Sequence, residues 1–275
     1  MNAAKAGDPK TINKEIFTYG KTVLINSWGQ RKFMTMDSQN MQAVLTTHGD
    51  KFGPSPHRHI IGAPFLGDGI FTAKEGEVWR KTRQLITPVF ARAQISELST
   101  LESHVGRLIG LIPRDGSTID LQPLLRKLYL DSSTEFIFGH STNSLAPGTS
   151  SIADQQLPEL FDDALRGLFA RTVLGKLRYL SRTGISDSMW LDKCAKVHAI
   201  VDSYIDEEVN RQKSDDGRAD IGLPYNYVLL RELVKRTDDK DFIRSQLLNI
   251  FLPARDTTAS LTGNIIFLLA RHPKV

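Results

Sequence analysis

The feature that most constrains the fold is a long apolar segment near the end of the sequence, Gln246–Pro273. Its acid and two hydroxyls, Asp256, Thr257 and Thr258, interrupt an otherwise oily pattern. The apolar residues recur every three or four positions, at Leu247, Leu248, Phe251, Leu252, Leu261, Ile265, Leu268 and Leu269. This spacing predicts a helix that is buried on most sides. Because burying polar groups costs free energy unless they are hydrogen-bonded or used, the Asp256–Thr258 step is a candidate site.

The composition is that of an ordinary globular protein and excludes few functions. The 275 residues are 40% apolar and 24% charged, with a formal net charge of +4 and one cysteine, Cys194. Charges of both signs are interspersed, so no nucleic-acid partner is predicted. The lone cysteine excludes an internal disulfide framework. No signal peptide or transmembrane segment is recognisable, so the chain taken alone is expected to be cytoplasmic.

The pattern predicts a mostly α-helical chain with a small β-hairpin near the N-terminus. The hairpin strands are predicted at Lys21–Asn26 and Arg31–Met36, followed by a helix that Asp37 or Ser38 caps. Several Gly and Pro residues favour a long irregular connection over Phe52–Gly69. Helices are predicted at Glu75–Thr87, Arg92–Ile112, Leu124–Phe138, Pro158–Leu180, Asp187–Asn210, Tyr227–Lys235 and Asp239–Arg271, with a polar linker at Asn143–Gln156.

A second candidate site lies on the helix predicted at Glu75–Thr87. Trp79 and Arg83 are four residues apart and therefore project from one face, and Lys81 adds an ammonium group nearby. These donors suit a dianionic ligand such as phosphates or paired carboxylates. The alternative is a solvated basic helix whose tryptophan packs on the core.

Two interpretations of the Asp256–Thr258 step also stay open. The side chains could relay protons or hydrogen-bond a ligand. Alternatively, the hydroxyls bond back to carbonyls one turn earlier and Asp256 pairs with a buried base. No metal site is predicted, because His57 and His59 have no acid or cysteine beside them in the sequence and are expected at the surface.

Three stretches, in their order along the chain, resemble cytochrome P450. They begin at Leu66, Ser117 and Leu247 and read LGDGIFTAKEGEVWRKTRQLITPVFARAQISEL, STIDLQPLLRKLYLDSSTEFIFG and LLNIFLPARDTTA, the last followed by FLLARHP. The branch they resemble most is that of the fungal alkane and fatty-acid hydroxylases. The resemblance covers about Tyr19–Val275 and implies the N-terminal half of the P450 fold, ending just after the long central helix on the distal side of haem.

The resemblance also implies how a single truncated domain, 1–275, is organised. Residues 1–50 would form a β corner and the first helix, and 51–142 the helices on the side of the haem propionates. Residues 143–238 would form substrate-channel helices and loops, and 239–275 the central distal helix.

Site residues follow from the same resemblance, with haem as the cofactor. Trp79 and Arg83 would hydrogen-bond the propionates, with Lys81 as a further polar group. Thr257 would hydrogen-bond bound dioxygen and steer protons to it, while Asp256 would link that step to solvent. Ala254 and Thr258 complete the expected haem-facing set; Ala254 stands where the family normally has glycine, and Pro253 where it has Ala or Gly.

The implied activity is that of a haem-dependent monooxygenase that hydroxylates long-chain apolar substrates with O2 and electrons from an NADPH-dependent reductase. The family location would be the cytosolic face of the endoplasmic reticulum membrane. However, the family's Glu-x-x-Arg helix and haem-ligating cysteine loop are not found in these residues, and Cys194 precedes the distal helix. Whether the chain is an enzyme therefore stays open. The alternative is a catalytically incompetent fragment, at most a helical protein that associates with haem or an apolar ligand.

Overall fold

A computed structural model describes residues 14–27, 30–53, 56–73, 76–90, 98–146, 152–174, 187–214 and 228–274. The Cα atoms that lie close together in space group the chain into two compact units, an N-terminal unit, Met1–Pro54, and a larger unit, Ser55–Val275. None of the helices in these described ranges is long and apolar enough to cross a membrane.

The N-terminal unit contains the predicted hairpin. Strands β1 (Thr22–Ser27) and β2 (Gln30–Thr35) pair antiparallel, with their ends aligned so that Thr22 faces Thr35. Asp37 then caps helix α1 (Ser38–Gln42), because its carboxylate accepts hydrogen bonds from the first backbone N–H groups. The predictions of the hairpin and of this cap are confirmed, with the strand bounds shifted by one residue.

The larger unit is built from helices within the described ranges. Their bounds are α2 (Pro56–Leu66), α3 (Glu77–Ile86), α4 (Ser99–Gly110), α5 (Leu121–Phe138), α6 (Ile152–Leu174), α7 (Asp187–Ser214), α8 (Leu229–Val234), α9 (Lys240–Ala254) and α10 (Asp256–Arg271). The expectation of a mostly helical chain with a small hairpin is confirmed. Parts of the predicted helices at 92–97 and 175–180 lie outside the described residues.

Helix α2 corrects the prediction of an irregular connection over Phe52–Gly69. Its proline at position 56 occupies the first helical residue, where the missing N–H is not needed. Gly67 has a φ of 65°, which stops the helix in the left-handed conformation that glycine tolerates. Its N–H donates to Ala63 O at 2.9 Å. Pro56 and Gly67 therefore bound a helix, and Gly62 and Pro64 are tolerated inside it.

The predicted polar linker Asn143–Gln156 is shorter than expected, because α6 already begins at Ile152. The described start of the linker is firmly attached to the buried carboxylate of Asp131 on α5. Its oxygens accept hydrogen bonds from Ser144 N at 2.7 Å and Leu145 N at 3.0 Å. This stretch is part of the helical unit and does not begin a separate one.

The predicted central helix, Asp239–Arg271, consists of two helices. Asp239 caps α9 by accepting from Phe242 N at 2.9 Å. The regular conformation is then lost at Arg255, whose φ and ψ are −104° and −60°. Pro253, two residues earlier, has no N–H to offer to the preceding turn, which explains why the interruption falls here.

Helix α9 runs through the main core of the larger unit. The buried side chains of this core come mainly from α2, α5, α6, α7, α8 and α9. A smaller cluster joins Leu108, Leu125, Leu128 and Leu145 to Ala259 of α10. The first half of the central segment is buried as predicted, whereas the prediction of burial on most sides is wrong for the second half.

Candidate functional site

Trp79 and Arg83 lie together on one face of α3, as their spacing predicts. The Arg83 guanidinium carbon is 5.2 Å from the centre of the Trp79 ring, a cation–π distance. Thr82 and Ile86 form the buried side of the helix, so Trp79 is half-buried and Arg83 exposed. Lys81 is also exposed.

The cations of α3 remain available to a ligand. Within the ranges that the structure describes, no carboxylate forms an ion pair with Arg83 or Lys81. Stacking on Trp79 orients the guanidinium without using its N–H groups. Trp79 and Arg83 thus offer an indole N–H and a guanidinium on one face, donors that fit paired carboxylates, whereas Lys81, two residues from each, projects from a different face.

The Asp256–Thr258 step lies where α10 begins. The expectation of a buried acid is wrong: the Asp256 side chain is 58% exposed, and Thr257 is exposed as well. Ala254 and Thr258 are half-buried. The reason is that the interruption at Arg255 turns the acid away from the core that encloses α9.

Both hydroxyls of this step bond back across the interruption. Thr257 Oγ1 donates to Pro253 O at 2.7 Å, and Thr258 Oγ1 donates to Ala254 O at 3.3 Å. This matches the second of the two interpretations drawn from the sequence. Each hydroxyl oxygen keeps lone pairs that can accept a hydrogen bond, and donation to a ligand requires release of the carbonyl.

A buried base stands beside the acid, and sequence reasoning did not single it out. The guanidinium of Arg255 forms an ion pair with Asp162 of α6 and lies 3.9 Å from Asp256. It also faces the rings of Phe161 and Phe251, at 5.8 and 5.7 Å. Burial lowers the pKa of Arg255, an effect that the charge of Asp256 opposes.

Two buried amides on α9 were also missed. Gln246 and Asn249 hydrogen-bond the backbone of the loop Gly67–Ala73, which precedes α3. His59 of α2 also contacts this loop, since its Nδ1 lies 3.0 Å from Thr72 O and 3.1 Å from Asp68 Oδ1. The expectation that His59 lies at the surface is therefore wrong, because its side chain is 20% exposed and is attached to this loop. The sequence signal that could have revealed these contacts was the pair of amides, Gln246 and Asn249, one turn apart in a largely apolar helix.

Cys194 lies in the core on α7. Its side chain is 1% exposed, and burial raises the pKa of the thiol to about 12. At neutral pH the buried sulfur is therefore protonated. Among the described residues, no group of three or more His, Cys, Asp or Glu is placed to hold a metal ion.

A family model places this helical chain in a known class of protein. The model described as cytochrome P450 matches residues 9–275. The chain belongs to the cytochrome P450 family.

Curated relatives come from fungi and yeasts. The chain is 35% identical to cytochrome P450 monooxygenase himC of Aspergillus japonicus over 97% of its own length and 47% of the relative. It is 37% identical to cytochrome P450 52A13 of Debaryomyces hansenii over 92% of its own length and 49% of the relative. The chain thus spans about half the length of the curated relatives it matches.

Solved structures support the same fold. The heme domain of a cytochrome P450DA mutant matches with a TM-score of 0.72 at 18% sequence identity. The match covers 96% of this chain and 55% of that domain. The expectation that the chain corresponds to about half of the P450 fold is therefore confirmed.

Proposed function

We propose that this chain forms the distal wall and part of the propionate side of a haem-dependent monooxygenase acting on long apolar chains such as alkanes or fatty acids. The observation that carries the proposal is the continuous family match over residues 9–275, which includes both the Trp79–Arg83 pair and the Asp256–Thr258 step. The relative himC, itself a monooxygenase by name, supports the reaction class. The substrate class follows from the sequence resemblance to the fungal alkane and fatty-acid hydroxylases.

The donors on α3 fit the two carboxylates of haem. Arg83 and Lys81 are exposed, and the structure pairs neither with an acid among the described residues. In this role Arg83 would bind a propionate through its free N–H groups. Trp79 would stack against the Arg83 guanidinium and donate its indole N–H. Haem, when bound, supplies the reduction of O2 and the insertion of one oxygen atom into a C–H bond.

The residues around the interruption would transfer protons and limit the space available on the distal side of haem. Asp256 is exposed and can take protons from solvent. Thr257 can pass them on when its hydroxyl releases Pro253 O. Ala254 and Thr258 would line the haem-facing surface, where the extra methyl group of Ala254 narrows the space that a glycine would leave.

The partners follow from the same proposal. An apolar small molecule is the substrate, and an NADPH-dependent reductase supplies the electrons. Membrane association at the endoplasmic reticulum would be a property of the complete family architecture.

The direct test is a haem titration followed by the Soret absorbance of the 275-residue chain. Arg83→Ala should weaken haem binding about tenfold, since it removes one charge-assisted hydrogen bond to a carboxylate. The matched control is Arg271→Ala, which removes the same charge and a similar cation–π contact, with Phe267, from the end of α10 and should leave the affinity within about twofold. Equal affinities for both variants and the parent would refute the propionate role.

The state of Cys194 favours a second candidate for the chain by itself: a helical protein that associates with haem without being catalytically competent. The lone cysteine is buried and has a pKa of about 12, so these residues offer no thiolate to the iron. Reduced protein mixed with haem and carbon monoxide should therefore lack the thiolate Soret band expected of the family. The appearance of that band would overturn this second candidate.

A further inference from the structure

We propose that Asn249, assisted by Gln246, is a positioning residue that fixes the loop Gly67–Ala73, and through it the start of α3, against the central helix. The inference rests on the proposed function, because α3 carries Trp79 and Arg83. It concerns residues that lie outside both candidate sites.

The side-chain amide of Asn249 is fully buried and fully used. Its nitrogen donates to Leu66 O and to Ser245 O, each at 2.8 Å. Its oxygen accepts from Phe71 N at 2.9 Å. Thr72 Oγ1 lies 3.2 Å from the same Asn249 oxygen, but it donates its single proton to Gly67 O, which is nearer at 2.6 Å. Both N–H groups and the oxygen are thus engaged, which fixes the orientation of the amide.

Gln246 repeats this arrangement one turn earlier. Its Oε1 accepts from Ile70 N at 3.0 Å, so consecutive N–H groups of the loop bind amides spaced three residues apart on one helix face. The loop lies against α9 so closely that a methyl group on Gly69 would overlap the Asn249 amide and the Ser245 carbonyl. The attachment therefore depends on the glycine as well as on the two amides.

The position of the attachment explains why it matters for the site. Ala73 precedes Gly76, the N-cap residue of α3, by three positions. Asn249 precedes Ala254 by five positions, roughly 7.5 Å along a helix. One buried side chain therefore lies close in sequence to the acid–hydroxyl step and is bonded to the loop that leads into the propionate-binding helix.

Residue-resolved hydrogen exchange of the 275-residue chain tests the attachment. Asn249→Leu should accelerate exchange of the Phe71 amide, and Gln246→Leu that of the Ile70 amide, each about tenfold or more. The Ser144 and Leu145 amides, which bind the buried Asp131, are the internal control and should not change. Unchanged exchange at residues 70 and 71, or equal acceleration at all four amides, would overturn the inference. If Asn249→Leu does not fold, Gln246→Leu decides the matter through Ile70.

A second readout separates positioning from general support of the fold. Arg83→Ala should lower haem affinity about tenfold in the parent chain but less than about twofold in the Asn249→Leu background, because α3 is then already misplaced. Independent effects of the two substitutions would contradict a positioning role. If the parent chain binds no haem, the proposed function fails, whereas the exchange of the Ile70 and Phe71 amides still decides whether the loop is held as inferred.

Discussion

Helices α9 and α10 have similar apolar sequences and opposite environments. Seven residues of α9 are buried, including Leu247, Leu248 and Phe251, whereas α10 buries Ala259 alone among its residues. The reason is that α9 packs against α2, α5, α7 and α8, while α10 packs mainly against α5. An apolar repeat thus predicts the helix reliably but does not say how many neighbours will cover it.

The apolar side chains of α10 consequently form an exposed surface. The residues involved are Leu261, Ile265, Ile266, Phe267, Leu268 and Leu269, each exposed over at least 41% of its area. On the side toward α5, Tyr129 Oη lies 2.8 Å from Thr262 Oγ1. Helix α10 is therefore partly covered by α5 and is otherwise exposed.

The largest expected effect comes from truncating the same residue type in each helix. Phe251 is fully buried and packs against the rings of Phe138 and Phe161, so Phe251→Ala should lower the free energy of unfolding by about 3–5 kcal/mol. Phe267 is 58% exposed, and Phe267→Ala should change it by less than about 0.5 kcal/mol. Urea unfolding followed by circular dichroism measures both.

Similar losses for the two phenylalanines would break the comparison. They would mean that α10 is covered in solution, for example by a second copy of the chain. Repeating the unfolding at several protein concentrations distinguishes this case, because an interface between copies makes stability depend on concentration.

Local patterns predicted much of the fold because its signals are local. Asp37 caps the first helix and Gly139, with a φ of 82°, ends α5 as expected. The error over Phe52–Gly69 arose from reading proline and glycine as breakers, although Pro56 stands at a helix start and Gly67 at a helix end. Position within the element decided their effect, and composition does not reveal position.

The candidate site was less predictable, because its decisive contacts are between distant residues. The spacing of Trp79 and Arg83 suffices to place them on one face. By contrast, the burial of Arg255 depends on Asp162 and two phenylalanine rings, and the role of Asn249 depends on a loop almost two hundred positions earlier in the chain. No local pattern contains this information.

An intermediate effect is expected at the boundary between the two helices. Asp162→Asn removes the ion-pair partner of a guanidinium that is only 7% exposed. Because Asp256 remains 3.9 Å away and Asp162 is itself partly solvated, the loss in unfolding free energy should be about 1–2 kcal/mol rather than that of a fully buried pair.

The control for this substitution is a more solvated ion pair between α7 and the start of α9. The Asp206 carboxylate accepts from Lys240 Nζ at 2.7 Å, and the side chains of Lys240 and Asp206 are 39% and 61% exposed, so Asp206→Asn should cost less than about 0.5 kcal/mol. If the two asparagine variants unfold at the same urea concentration, the Arg255 ion pair does not mark an edge of the buried region.

The smallest effect is expected on the exposed side of the same boundary. Thr257→Val preserves the shape of the side chain but removes the hydroxyl that donates to Pro253 O at 2.7 Å. Because Pro253 and Thr257 are both exposed, water can replace that donor, and the unfolding free energy should fall by no more than about 0.5 kcal/mol. Thr257→Ser keeps the hydroxyl and is the matched control in the same urea titration. At Pro253 the backbone lacks one helical hydrogen bond, because proline has no N–H. If Thr257→Val lowered the unfolding free energy by more than about 1 kcal/mol and Thr257→Ser did not, the hydroxyl rather than packing would hold α9 and α10 together at this point.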